Sequence, residues 1–362
     1  MILAGRDGDA LRKVGREHGM EARVFGLDDR DDIADGLDGV DVVLNAAGPF
    51  AWTAETLAKA ALQARCHYVD INGEVDVYRR LDDLIRAASQ RGLTMVASAG
   101  HMAAASDSLL DAVLGRLMDR GIIGQHEELG AVRIALSRIA AYSRGSAETV
   151  TRSLREQVAV YRRVKRKDRD GQSYNAMVLW HEPVGKLERT FDFGANGAAR
   201  KIEPRRIASA ANLVDTLTAR HTIERYEVTA HSIESYMEAG SVARFANQVG
   251  AIVAPLTTCK IVRAAARTPL ALFPAGPTAE ELASETHAVV LEIEDRFRQR
   301  LAAFRLETPN VYTLTAQLAV AVAQEVALKP KSGGWRTPAE YLRPFGSSKN
   351  EAWRGCRITA AD

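Results

Sequence analysis

Over the first 120 residues, short apolar runs alternate with stretches whose apolar positions recur every three or four residues. This is the pattern of buried parallel strands joined by crossover helices. Strands are predicted at about 1–4, 22–25, 41–46, 67–71 and 93–98. Val42, Val43 and Leu44 form a run that is apolar on both faces, as a strand covered by helices on either side requires. Helices are predicted over Asp9 to Gly19 and over Asp31 to Leu37. A third runs from a Thr53 N-cap through Leu57, Ala60, Ala61 and Ala64. A fourth carries Leu81, Leu84, Ile85 and Ala88 up to a left-handed turn at Gly92, and a fifth carries Leu110 to Met118 and ends near Gly121. The fold class that follows is α/β, a doubly wound, Rossmann-like parallel sheet of five strands.

The six-stranded form of such a sheet begins with one more strand, whose glycine-rich turn seats a pyrophosphate at a helix N-terminus. No GxGxxG or GxxGxxG follows any predicted strand in this sequence, and Met1 already opens what would be the second strand. The sheet is therefore expected to lack its first strand, which normally stands in the middle. Three accounts follow: a translation start assigned too late, direct pairing of the strands flanking the gap, or a strand supplied by another chain. The first is the reading adopted from sequence.

Beyond residue 125 the pattern becomes that of an α+β domain. Strands are predicted at 131–136, 190–194, 221–229, 287–294 and 301–307, with helices at about 147–164 and 314–328. The organisation read from this is a nucleotide-binding domain over 1–124, an α+β substrate or dimerisation domain over 125–312, and a C-terminal helix and tail over 313–362 that returns to the first domain.

Composition narrows the partners. The 362 residues are 46% hydrophobic, and 48 lysines and arginines nearly cancel 46 aspartates and glutamates. No strong overall field draws such a chain to nucleic acid or an anionic bilayer, and a small molecule is the expected partner. Cys66, Cys259 and Cys356 form no CxxC pair, which fits a reducing, cytoplasmic compartment and offers no thiolate metal cage. The most apolar runs, 249–259 and 269–276, are interrupted by Pro255, Pro269 and Pro274, and membrane contact is not expected.

The stretches AGRD (4–7), NAAGPF (45–50) and YVDINGE (68–74), in this order and spacing, resemble the saccharopine-dehydrogenase-like oxidoreductases, including the group of trans-acting enoyl reductases. NVYTLTAQLAVAVA and GGWRTPAEYL near the C-terminus are weakly similar to the closing segments of that family. The resemblance implies an NADP-dependent oxidoreductase that transfers hydride to or from a C=O, C=N or C=C bond of a small or lipid-like substrate, and it is compatible with a homodimer. Where many relatives carry a GFDSxPSD-like turn, this chain has Gly100 to Asp107 with Gly100, Ser106 and Asp107 retained.

The residues fit this implication on their own chemistry. Arg6 ends a strand where an arginine pairs with the 2′-phosphate of NADP and an acidic residue would instead hold an NAD ribose. Asp28 follows the next strand, where the resemblance places an acceptor for the adenine amino group. Asn45, Ala46, Ala47, Gly48, Pro49 and Phe50 form a loop of mostly small residues that a cofactor can approach closely. Tyr68 and Asp70 share one side of a strand by its period of two, and with Glu74 they are candidates for substrate binding or proton relay. The alternative function is a non-catalytic remnant or a redox-sensing NADP-binding protein, like the NmrA-type regulators, with an incomplete cofactor cradle.

Four features point elsewhere. YRRVKRKDR (161–169) is read as the solvated, dipole-complementing end of a helix. HTIE (221–224) and HSIE (231–234) repeat a His-x-x-Glu spacing, but in a strand such positions face opposite sides. Asp107 is a natural N-cap for the helix that follows it. Ser143, Ser146 and Ser153 have no histidine and acid at a recognisable spacing, so hydrolase chemistry has no footing.

Overall fold

In the computed structural model of the protein, the described residues are 1–139, 157–168, 171–183, 185–194, 205–239, 276–331, 333–342 and 351–361. The chain divides into two compact units. The first comprises Met1–Asn72, Asp76–Ala99 and Ala319–Arg336, and the second Gly73–Val75, Gly100–Leu318 and Thr337–Asp362.

The first unit carries strands β1 (Ile2–Gly5), β2 (Glu21–Val24), β3 (Val42–Asn45), β4 (His67–Asp70) and β5 (Thr94–Val96), all close to the predicted positions. Helix α1 (Gly8–His18) starts because the Asp7 carboxylate accepts the Asp9 and Ala10 amides at 3.1 and 3.0 Å, and it ends at Gly19, whose φ of 65° is open to glycine. Helix α2 spans Arg30–Gly36 and is capped by Asp29.

Helix α3 (Phe50–Gln63) begins four residues earlier than expected, with Pro49 at its N-cap. Proline's fixed φ suits that position, and the Thr53 hydroxyl donates instead to the Ala47 and Pro49 carbonyls. The helix predicted around Leu81 is two, α4 (Val75–Asp82) and α5 (Ile85–Gln90). The Leu84 amide tightens onto the Leu81 carbonyl at 2.9 Å and turns the chain between them.

All pairings in this unit are parallel, yet they form two ladders rather than one. β1 pairs only with β2 among the described residues, while β3, β4 and β5 continue to a further strand, Gly334–Trp335, that the sequence did not suggest. β1 and β3, the strands expected to flank the missing one, do not pair with each other. Burial follows: β4 is buried along Tyr68–Asp70 and β5 throughout, whereas β1 and β2 are half-buried or exposed.

The second unit is built on a nine-stranded mixed sheet. In chain order its strands are β6 (Glu128–Leu136), β7 (Val158–Lys167), β8 (Ser173–Glu182), β9 (Glu188–Asp192), β10 (Arg205–Ala210), β11 (Thr229–Glu238), β12 (Thr286–Asp295), β13 (Arg300–Pro309) and, after β14 (Gly334–Trp335) of the first unit, β15 (Arg357–Ala360). The path runs β15-β13-β12-β6-β11-β10-β9, with β7 branching from β11 and pairing with β8. Helices α6 (Ser106–Asp119) and α7 (Asp215–Arg225) pack together and against this sheet, and α8 (Ala279–Ser284) precedes β12.

Two predicted elements change type. Residues 221–225 finish α7, and only from Thr229 is the chain a strand. Thr216, Ala219 and Ile223 are buried, a helical spacing that a strand reading of 221–229 cut through. Residues 158–167, expected to end a helix, form β7, held by ten antiparallel pairs to β8. The rest of that predicted helix and the three serines lie outside the described residues.

Helix α9 (Val311–Leu328) matches the predicted last helix and has a mean hydropathy of 1.3 over 18 residues. Leu314, Leu318, Val322 and Val326 line one fully buried stripe along it, as in a core helix. Its first turns belong to the second unit and the remainder to the first.

Candidate functional site

The carboxyl ends of β3, β4 and β5 are tied together by one hydrogen-bonded group. Asp70, fully enclosed, accepts the Ser98 amide at 2.8 Å and the Asn72 amide at 3.0 Å on Oδ1, and the Tyr68 hydroxyl at 2.9 Å on Oδ2. Asn45 Nδ2 donates to the Tyr68 hydroxyl at 3.2 Å, and Asn45 Oδ1 accepts the Ala47 amide at 3.0 Å. The register puts Asn45 beside Asp70 on adjacent strands. Thus the predicted same-side placement of Tyr68 and Asp70 is observed, and Asn45 joins them.

Burial raises the Asp70 carboxyl to about 6, against the lowering effect of its Ser98, Asn72 and Tyr68 bonds. Burial first, and then the Asp70 charge, push the Tyr68 phenol well above its usual range. Both side chains are sealed from solvent and tie the strand ends together. What lies open is backbone: Ala46, Ala47 and Gly48 are exposed, with Pro49 and Phe50 half-buried. A Cβ placed on Gly48 would meet only the Phe50 ring, at 3.9 Å, so this turn has room for a close-approaching group.

The turns after β1 and β2 bring Arg6 and Asp28 together. A Cβ on Gly26 would lie 3.7 Å from Asp28 Oδ2 and 4.0 Å from Arg6 Cγ. Both side chains are exposed, and neither has a hydrogen bond or ion pair among the described residues. Asp29, not Asp28, caps α2, so LDDRDD divides into one capping acid and one uncommitted acid. Glu74, half-buried, falls in the second unit.

The second unit holds a polar cluster that sequence reasoning reached only through the Gly100–Asp107 segment. His101 and His287 are each 4% exposed, their rings 6.2 Å apart edge to face, and none of their four ring nitrogens is hydrogen-bonded. Burial, and then the neighbouring His287, lower His101 to about 3; burial lowers His287 to about 4. Both rings are neutral at pH 7. His101 is held by its amide, which donates to the Thr315 hydroxyl at 3.0 Å.

Nearby, Asp215 Oδ1 accepts the Ser106 hydroxyl at 2.5 Å and the Ala103 amide at 3.1 Å. Ala103 has φ 74°, an uncommon conformation for a residue with a Cβ. Asp107 does not cap α6, whose N-cap is Ala105. Fully buried, it accepts the Thr222 hydroxyl and, at 2.9 Å, the Ala339 amide. The retained Ser106 and Asp107 were the available signal for this cluster; Asp215 and His287 had none nearby in sequence.

His221 is on a helix and His231 on a strand, so the two His-x-x-Glu repeats share no geometry. Among the described residues no group of three or more histidines, cysteines or acids is arranged to hold a metal ion.

Residues 1–96 match the sequence model of the saccharopine dehydrogenase NADP binding domain. No curated protein matches in sequence. In structure, the chain is similar to apo saccharopine dehydrogenase (L-Glu forming) from Saccharomyces cerevisiae, at 13% identity and a TM-score of 0.52 over 93% of this chain and 88% of that one. It is also similar to the homospermidine synthase of Legionella pneumophila in complex with NAD, at 10% identity and a TM-score of 0.53 over 94% and 80%. These two likenesses establish the shared fold, a Rossmann-like parallel sheet joined to a mixed-sheet domain.

Proposed function

We propose, from the membership of residues 1–96 in the saccharopine dehydrogenase NADP-binding domain family, that the chain is an NADP-dependent oxidoreductase acting on a C=O, C=N or C=C bond of a small or lipid-like substrate. The observation that carries the cofactor reading is the pairing of Arg6 with Asp28 around Gly26 at adjacent strand ends, both free of protein partners among the described residues. A guanidinium there matches a ribose 2′-phosphate, and a carboxylate matches the adenine amino group. The exposed Ala46–Gly48 backbone supplies the close approach that a dinucleotide needs.

The cofactor, when bound, supplies hydride transfer. This chain's own residues orient it: Asp70 and Tyr68 hold the β3, β4 and β5 ends in register, and Asn45 fixes the Ala47 amide that faces the loop. The free Cys66 and Cys356 support a reducing, cytoplasmic setting.

A second reading, an NADP-sensing or non-catalytic protein, draws on the β1 and β3 edges, which do not pair with each other among the described residues. Titration of the 362-residue chain with NADPH and NADH, followed by melting temperature, separates the two. Saturable, NADPH-preferring stabilisation together with hydride transfer to a screened substrate supports the enzyme. Stabilisation without turnover supports the sensor, and no stabilisation at millimolar NADPH removes the cofactor reading.

A further inference from the structure

Residues 161–167 of the basic run set aside in sequence as a helix end lie on a strand of a hairpin whose outer end is exposed. β7 and β8 pair along ten residues, from Val158 with Glu182 to Lys167 with Ser173, but β7 is in ladder register with β11 only at Tyr161 and Arg162, and beyond them Arg163 reaches His231. The outer half of the hairpin therefore extends past the sheet, and β8 has no strand on its far side among the described residues.

The two faces of this arm differ in a regular way. With alternate residues sharing a face, Tyr174, Ala176, Val178 and Trp180 line one side of β8, and Val164 stands opposite Ala176 in the ladder. Trp180 is 52% and Tyr174 48% exposed, an unusual concentration of bare aromatic surface on one strand. Six residues of strand separate the two rings, about 20 Å.

The charges are arranged around that stripe. Arg162 and Arg163 are committed to Glu234 and Glu128. Lys165, Arg166 and Lys167, at the tip, are exposed and have no ion-pair partner among the described residues. Arg166 stands across from Tyr174, while Lys165 and Lys167 point to the other side. A chain with a formal net charge of +2 thus gathers three exposed cations on one protruding tip, next to the turn's Asp168.

We propose that the β7–β8 hairpin is a docking arm for an anionic lipid bilayer surface. With the ribbon lying along the bilayer, Arg166 on the aromatic side meets lipid phosphates, Lys165 and Lys167 add charge within a screening length of the surface, and Trp180 and Tyr174 occupy the headgroup layer where amphipathic rings reside. The aliphatic Val164, Ala176 and Val178 between them fit the acyl boundary and offer nothing to nucleotide bases, which separates this surface from a nucleic-acid platform.

Co-flotation of the full chain with phosphatidylcholine vesicles containing 30% phosphatidylglycerol, against pure phosphatidylcholine, tests the proposal. The expected result is salt-sensitive binding to the anionic vesicles only. The triple variant K165Q/R166Q/K167Q, which alters exposed side chains alone, should bind of order 100-fold more weakly, at about 1 kcal/mol for each charge. W180S should weaken binding while leaving its salt dependence in place.

Absence of flotation at low salt overturns the proposal, as does equal binding by the triple variant. So does a stable dimer in solution that W180S dissociates, because a second copy then covers this face. A triple variant that loses RNA retention but not vesicle binding has the same effect.

Discussion

Asp70 permits a test in which stability and pH dependence are both worked from the structure. Its ionised form costs the folded protein the difference between a free carboxyl at 3.8 and a buried one at about 6, about 3 kcal/mol at neutral pH. Replacement by alanine recovers that amount but strands three donors, the Ser98 and Asn72 amides and the Tyr68 hydroxyl. At about 1–3 kcal/mol each the loss is larger, and D70A is expected to be destabilised by about 3 kcal/mol.

D70N keeps an oxygen for both amides and forfeits only the Tyr68 bond, so at pH 7.5 it should match or exceed the wild type by up to about 2 kcal/mol. The pH dependence is sharper. A carboxyl raised on folding contributes stability that is complete below 3.8 and lost as the pH rises through about 6. The asparagine has no such dependence. The advantage of D70N over wild type should therefore shrink by about 1.4 kcal/mol between pH 7.5 and pH 5.0. Urea unfolding at both pH values, with amide exchange of Thr94–Val96 to follow the first unit separately, measures it. An advantage that is the same at both values refutes the buried, ionised Asp70.

Other outcomes are expected. His101, lowered from 6.5 to about 3, contributes stability that is full above pH 6.5 and drains away as the pH falls towards 3, so H101Q should lose about 2–3 kcal/mol less than wild type between pH 7.5 and 4.5 in denaturation titrations. R6A should weaken NADPH binding at least tenfold with little effect on NADH in calorimetry; equal loss for both cofactors would remove Arg6 from the 2′-phosphate. A Cβ on Gly130 would sit 2.0 Å from the Asp295 carbonyl oxygen, and G130A should cost at least about 2 kcal/mol in urea unfolding, since backbone cannot yield as a side chain does.

The alternation of apolar runs and helical periods was enough to locate β1 to β5 and their crossover helices, because the signal of each run is complete within a few residues. Motif order likewise pointed to Arg6, Asp28 and the Asn45–Phe50 loop, and the strand period put Tyr68 and Asp70 on one side.

Sequence alone could not show that Asn45 and Ser98 complete the Asp70 group, since that depends on the register of β3, β4 and β5. Nor could it separate strand from helix at 158–167 and 221–225, where partners many residues away outweigh local propensity. The His101–His287 pair spans 186 positions of the chain. Contacts of that kind have no local pattern, and only the folded backbone brings them together.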